Sequence, residues 1–235
     1  MTNDIQKLNI TLPGQDSFMV QEAVKVIRTN LEFCGRDIKT IAFTSYGENE
    51  GKTTVSLLLA RSMAELGKKV LFIDSDMRKS VLTGRNTDSK DYTGLSEVLS
   101  GLKELKDSVH ETNCKGLFIL QAGKYPPNPV ELINSKYFEN LIETARDTFD
   151  YVIIDTPPLG YTIDSAIIAT MTDGMVLVIG NPDLRRRQLK RVMTQLRRSN
   201  CRMLGAVINS AMKQSRGAAK LLKTKYAKKY YSYRG

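Results

Sequence analysis

The feature that most constrains this chain is one passage near its N-terminus. An apolar, β-branched run, Thr40–Thr44, enters Ser45-Tyr46-Gly47-Glu48-Asn49-Glu50-Gly51-Lys52-Thr53-Thr54 and then a helical pattern, Thr53–Leu66. A strand that feeds a glycine-containing turn ending in Gly-Lys-Thr at a helix start is the setting of a phosphate-binding loop. Backbone N–H groups at such a helix N-terminus cradle phosphates. In that setting Lys52 reaches the β- and γ-phosphates and the Thr53 hydroxyl ligates Mg²⁺. The spacing departs from GxxxxGK[ST], because Tyr46 holds the first glycine position. Gly47 and Asn49 are expected to supply the unusual backbone angles, since Asn tolerates the left-handed region. The nucleotide-binding residues read from the loop are Gly47, Asn49, Glu50, Gly51, Lys52, Thr53 and Thr54.

The rest of the chain alternates in the same way. Val70–Asp74, Leu117–Gln121, Tyr151–Asp155, Met175–Ile179 and Met203–Asn209 read as buried strands, several of them apolar throughout. Ser135–Thr148, Ser165–Thr170 and Leu184–Ser199 read as helices, and Gln15–Phe33 as a separate amphipathic helix before the first strand. This alternation predicts an α/β fold, a doubly wound and mostly parallel sheet with helices on both faces. Val70–Asp74 continues into Ser75-Asp76-Met77-Arg78, and Tyr151–Asp155 into Thr156-Pro157-Pro158. Ligands of open α/β sheets bind beyond the carboxyl ends of strands, so Asp74, Asp76 and Asp155 are expected to converge on the phosphate loop. A carboxylate there holds Mg²⁺ or accepts a proton. Helix N-capping explains one such acid easily and three beside one loop poorly.

Composition narrows the classes further. Apolar residues make up 41% and charged residues 26%, which argues against a disordered chain. No apolar run approaches the roughly 20 residues of a membrane span, and Met1–Thr11 lacks the core of a secretory signal, so a soluble, cytoplasmic chain is expected. Cys34, Cys114 and Cys201 have no CxxC spacing and read as reduced core thiols. With His110 alone, neither a histidine-built metal site nor a Ser-His-Asp hydrolase is expected. The net charge of +10 is uneven: residues 184–235 hold 16 Lys or Arg and no acid, leaving −6 on residues 1–183. Such a basic segment reads equally as a solvated face or as a surface for nucleic acid, anionic lipid or an acidic protein.

The three motifs together are similar to those of the bacterial tyrosine kinases of capsule and exopolysaccharide assembly. The resemblance rests on Glu50-Gly51-Lys52-Thr53, on Asp74-Ser75-Asp76-Met77-Arg78 and on Asp155-Thr156-Pro157-Pro158. It extends to Thr93-Gly94-Leu95-Ser96 and to Gln121-Ala122-Gly123 leading into Pro126-Pro127-Asn128-Pro129-Val130-Glu131-Leu132. It covers roughly residues 18–235. It implies a P-loop NTPase domain of the partitioning-ATPase-like type over 1–212, with an oligomerisation helix at about 15–33 and a tail over 213–235. It implies ATP and Mg²⁺ as cofactors. Lys52, Asp74, Asp76 and Arg78 would carry the chemistry, and Thr53, Asp74, Asp76 and Asp155 the metal. Arg78 would hold Asp76 in place or steady phosphate, and Asn209 would contact the adenine. Two departures stand out: Glu48 where the family loop often has Pro, and Glu22, Lys25 and Arg28 where its ring-forming helix often has ExxRxxR.

Four of ten tyrosines, Tyr226, Tyr230, Tyr231 and Tyr233, lie in the last ten residues among Lys228, Lys229 and Arg234. Without the upstream motifs, aromatics interleaved with cations would suit single-stranded nucleic acid. With them, the resemblance implies autophosphorylation, one subunit offering its tail to its neighbour, and no nucleic-acid partner is expected. It further implies a homo-oligomer, possibly a ring, a phosphotyrosine phosphatase, and a transmembrane activator whose cytoplasmic segment recruits the chain to the inner face of the membrane. The rivals are a partitioning or positioning ATPase and a non-catalytic nucleotide-binding regulator. The first commonly carries a signature lysine where this chain has Gly47, and intact Lys52, Asp74, Asp76 and Asp155 weigh against the second.

Overall fold

The computed structural model describes residues 7–82, 93–180 and 184–209. Among these, seven strands form one sheet: β1 (Thr40–Ser45), β2 (Val70–Asp74), β3 (Val109–Glu111), β4 (Leu117–Leu120), β5 (Tyr151–Asp155), β6 (Gly174–Ile179) and β7 (Met203–Ile208). The order is β3-β4-β2-β5-β1-β6-β7, and every pairing is parallel except that of β3 with β4. The helices are α1 (Phe18–Phe33), α2 (Lys52–Ala64), α3 (Leu95–Leu99), α4 (Leu105–Ser108), α5 (Pro129–Ile133), α6 (Lys136–Thr148), α7 (Asp164–Thr170) and α8 (Arg186–Arg198). The expected α/β architecture is the observed one.

Side chains on a strand alternate between faces, and both faces are apolar here because both are covered. Ile41, Phe43, Val70, Phe72 and Ile153 face Val24 and Leu31 of α1 and Val55 and Leu59 of α2. Ala42, Leu71, Ile73, Val152 and Ile154 face the opposite layer, against Leu95 of α3, Phe138 of α6, Ile168 of α7 and Val192 of α8. Phe43, Phe72 and Phe138 are wholly buried, and truncating any one of them to Ala should cost about 3–5 kcal/mol.

Several expectations shift. The first helix starts at Phe18, not Gln15, because the Gln15 Oε1 accepts from the Leu12 N–H (3.0 Å) and from Arg61 (2.6 Å) and so holds a turn. β3 and the short helices α3, α4 and α5 were not anticipated; at three to five residues none spans enough positions to show a period. The cysteines are free but half-buried rather than in the core. Among the described residues no helix is long and apolar enough to cross a membrane. The tail tyrosines, Tyr226, Tyr230, Tyr231 and Tyr233, lie outside the described residues.

Candidate active site

The phosphate loop leaves the buried end of β1 and turns through two left-handed residues, Asn49 (φ 57°) and Gly51 (φ 85°). Asn49 fulfils its expected role, whereas Gly51 and not Gly47 supplies the other turn. The glycines are needed for close approach as well. A Cβ on Gly51 would stand 2.1 Å from the Asn209 side-chain nitrogen, and one on Gly180 would stand 2.4 Å from the Glu50 carbonyl oxygen. The loop is thereby seated against the ends of β6 and β7.

Glu50 and Asn209 brace the loop. The Glu50 carboxylate is buried and accepts from the Gly47 N–H (2.6 Å) and from the Gly180 N–H (2.8 Å). It thereby shapes the loop. The Asn209 amide donates to the Glu50 carbonyl (3.1 Å), which seats it against the loop and leaves its second N–H and its carbonyl oxygen for other partners.

The carboxylates converge because of strand register. β2 and β5 are neighbours with Asp74 opposite Asp155, so both acids leave the sheet at the same level. The Thr53 hydroxyl, in the first turn of α2, donates to Asp155 Oδ2. Asp155 Oδ1 is buried with no hydrogen-bond partner. Asp74 accepts from the Asp76 N–H (3.1 Å) and from the Ser80 hydroxyl (2.6 Å). Burial and then the charge of Asp155 push the Asp74 carboxyl up to about 8. Burial pushes Asp155 up to about 6, against the pull of Lys52 and the Thr53 hydroxyl. Asp76, half-buried, is raised by burial too, with the Lys79 N–H and Lys52 opposing. One buried lysine does not balance three acids. An orphaned carboxylate oxygen beside a hydroxyl is a hard-oxygen donor set that fits Mg²⁺. Lys52, Thr53, Asp74, Asp76 and Asp155 are therefore gathered into one site as expected.

The Arg78 side chain is held by an acid that the sequence did not point to. Its guanidinium Nε donates to Asp164 Oδ2 at 2.9 Å, with a longer contact to Oδ1 at 3.5 Å, so Asp164 and not Asp76 holds it. Asp164 opens α7 and is 1% exposed. Sequence reading missed it: an acid at a helix start looks like an ordinary favourable contact with the helix dipole, and its partner lies 86 positions away. A second missed contact joins Lys79 to Glu48 (2.6 Å), tying the turn after β2 to the tip of the phosphate loop.

Two further stretches behind the resemblance meet beside β4. The Leu95 N–H donates to the Gln121 carbonyl (2.7 Å), and Glu97 accepts from the N–H groups of Gly94 (2.9 Å) and Lys124 (3.2 Å). Any Cβ on Gly94 would lie 2.3 Å from the Gln121 carbonyl, which explains the glycine. On α1, Glu22, Lys25 and Arg28 also make contacts within the chain. Lys25 pairs with Glu22 one turn away (2.7 Å), and Arg28 donates to the Ser62 hydroxyl of α2 (2.6 Å). Side chains three apart on a helix are adjacent, so the first pair needs no partner subunit to form.

Comparison with known proteins converges on the same chemistry. Residues 38–213 match the family model described as an AAA domain. The chain is 42% identical over 189 residues to tyrosine-protein kinase CpsD of Streptococcus agalactiae, covering 80% of this chain and 82% of the relative. It is 35% identical over 204 residues to tyrosine-protein kinase YwqD of Bacillus subtilis, covering 86% and 85%. The solved kinase domain of the Escherichia coli tyrosine kinase ETK superposes with a TM-score of 0.80 at 31% identity, covering 87% of this chain and 81% of that one. A P-loop with acids from two neighbouring strands, shared at this identity over most of the chain, means that it belongs to the family of bacterial tyrosine-protein kinases.

Proposed function

We propose that the chain is an ATP-dependent autokinase that phosphorylates its own C-terminal tyrosines, Tyr226, Tyr230, Tyr231 and Tyr233, and thereby regulates synthesis and export of a capsule or exopolysaccharide. The observation that carries this reading is the buried, unpartnered Asp155 Oδ1 between the Thr53 hydroxyl and Asp74, at the foot of the phosphate loop. Mg²⁺, held by Thr53, Asp155 and Asp74, would neutralise charge on the transferring phosphoryl group. Lys52 and the amides of residues 47–54 hold the ATP phosphates in place. Asp76 is the acid among the three that is not fully buried, so it is the one a tyrosine side chain reaches. It takes the phenolic proton as the phenolate oxygen bonds to the γ-phosphorus and the bond to the β-phosphate oxygen breaks, releasing ADP. An unperturbed phenol has a pKa near about 10, so an anionic acceptor assists at neutral pH. Asp164 keeps Arg78 at the rim, where its guanidinium steadies phosphate.

That the relatives CpsD and YwqD are tyrosine-protein kinases supports the tyrosine as acceptor. A separate transmembrane activator would recruit the chain to the cytoplasmic face of the membrane and a phosphotyrosine phosphatase would reset it. Copies would associate through α1, on which Phe18, Met19 and Val26 are exposed. The test is an intact-mass spectrum after incubation with Mg-ATP and the activator's cytoplasmic segment. Added multiples of one phosphate, absent from the protein with all four tail tyrosines changed to Phe, support the reading. ATP hydrolysis without mass increase overturns it in favour of a plain ATPase.

A further inference from the structure

A second charged surface takes no part in the kinase chemistry. α8 lies on the sheet through buried Val192 and Leu196, with Leu189 and Met193 packed beside them. Its outer face presents Arg186, Arg187, Lys190, Arg191, Arg197 and Arg198, all exposed. These positions recur three and four apart, so they form one cationic stripe along the helix. Among the described residues none of the six is in an ion pair with an acid. Beside the stripe opens a groove of about 720 Å³ lined by Arg187, Lys190, Arg191 and Arg198 with Gln195 and Tyr46.

We propose that the cationic face of α8 adsorbs the domain on an anionic lipid surface, with phosphate-bearing headgroups in the groove beside Arg187 and Arg198. Three features favour lipid over other polyanions. α8 is seated flat on the sheet along its length, so it cannot enter a nucleic-acid groove as a protruding helix does, but it can meet a plane. The groove pairs cationic heads with the apolar stems of the same side chains and the Tyr46 ring, a combination that suits a lipid headgroup better than a bare polyanion. Ile208, 78% exposed, lies opposite Ile179 on the sheet face that α8 covers and provides an apolar contact beside the stripe. Charge sets the orientation: residues 1–183 carry −6 and are repelled by the same surface that attracts residues 184–235. Phosphates on the tail tyrosines would oppose adsorption, a corollary that rests on the autokinase reading; the adsorption itself does not.

The test is co-sedimentation of the full chain with vesicles of phosphatidylcholine alone or with phosphatidylglycerol added. The expected result is binding to the mixed vesicles only, lost as salt rises. Changing Arg187, Lys190, Arg191 and Arg198 together to Gln should weaken partitioning at least about tenfold while melting temperature and ATP turnover stay unchanged. Replacing the three arginines with Lys keeps the charge and should keep the binding. Three results would overturn the proposal: no binding to the mixed vesicles, undiminished binding by a folded Gln variant, or displacement from them by an oligonucleotide of equal phosphate content.

Discussion

Lys52 is buried at the first turn of α2, and its charge acts on both Asp76 and Asp155. Lys52→Met keeps the stem and removes the charge, so phosphotransfer should fall by about 10²-fold or more while the fold survives. Autophosphorylation assays beside thermal melts check this, and full activity in a folded variant would remove Lys52 from the mechanism. Asp74 bears on stability. Its folded-state pKa of about 8 stands above the ordinary 3.8, so the metal-free fold holds a proton that the unfolded chain releases. The stability it contributes is complete below about pH 4 and is lost as pH rises through about 8. Metal-free protein should therefore melt at lower temperature at pH 8.5 than at pH 6.5. Asp74→Asn should remove much of that slope and stabilise at pH 8.5 by about 1–3 kcal/mol. A melting curve whose pH slope is untouched by the substitution would show that Asp74 ionises freely in the fold. Asp164→Asn should loosen Arg78 and lower kcat about tenfold with little change in KM for ATP. Equal loss on both constants would assign Asp164 to nucleotide binding. At this scale Lys52, Thr53 and the three strand-end acids were legible because each follows a local motif. The loop-bracing contacts of Glu50 and Asn209 and the role of Asp164 were not legible because they are set by partners 86 to 159 positions away or by backbone that only the folded loop presents.

Among the elements, β1, β2, β5 and β6 stood out in the sequence because both faces of each are buried, which leaves unbroken runs of branched apolar residues, whereas β7, read as a buried strand, is an edge strand with no buried residue. β3 hid because it is a three-residue antiparallel edge with polar His110 and Glu111 in it. The α8 helix was plain from its alternation of Val192 and Leu196 with arginines, yet the same pattern could not say which anion, if any, the arginines meet. α1 is the element with most to settle. Its Glu22–Lys25 pair is exposed and satisfied within the helix, so by itself it contributes about 0–1 kcal/mol to anything. Association through this face then leans on Phe18, Met19 and Val26, with the pair as a rim. Glu22→Lys should place like charges one turn apart on every copy and shift sedimentation towards monomer. An unchanged sedimentation coefficient would move the interface elsewhere.

The whole molecule is polar in the electrical sense, an acidic body with a basic C-terminal fifth, and sequence alone displayed that asymmetry in full. What it could not display is what the end of the last strand touches. Asn209 sits on the phosphate loop, so everything beyond it is tethered at the mouth of the site that would modify it. Tyr226 lies seventeen residues along that leash and Tyr233 twenty-four. If the segment behaved as an ideal chain, closing it back on its root from Tyr226 would cost about 2.5 kcal/mol beyond a constant, and from Tyr233 only about 0.3 kcal/mol more. Distance along the chain therefore selects among the four tyrosines by less than about twofold. On the autokinase reading, peptide mapping of a brief reaction should find all four modified at rates governed by their immediate neighbours, with no march from the nearest to the farthest. A strict order beginning at Tyr226 would mean that the segment is guided by contacts rather than by its length. On that reading, the place where β7 stops would make the four tyrosines nearly interchangeable acceptors, and the degree of phosphorylation would be a graded count and not a code.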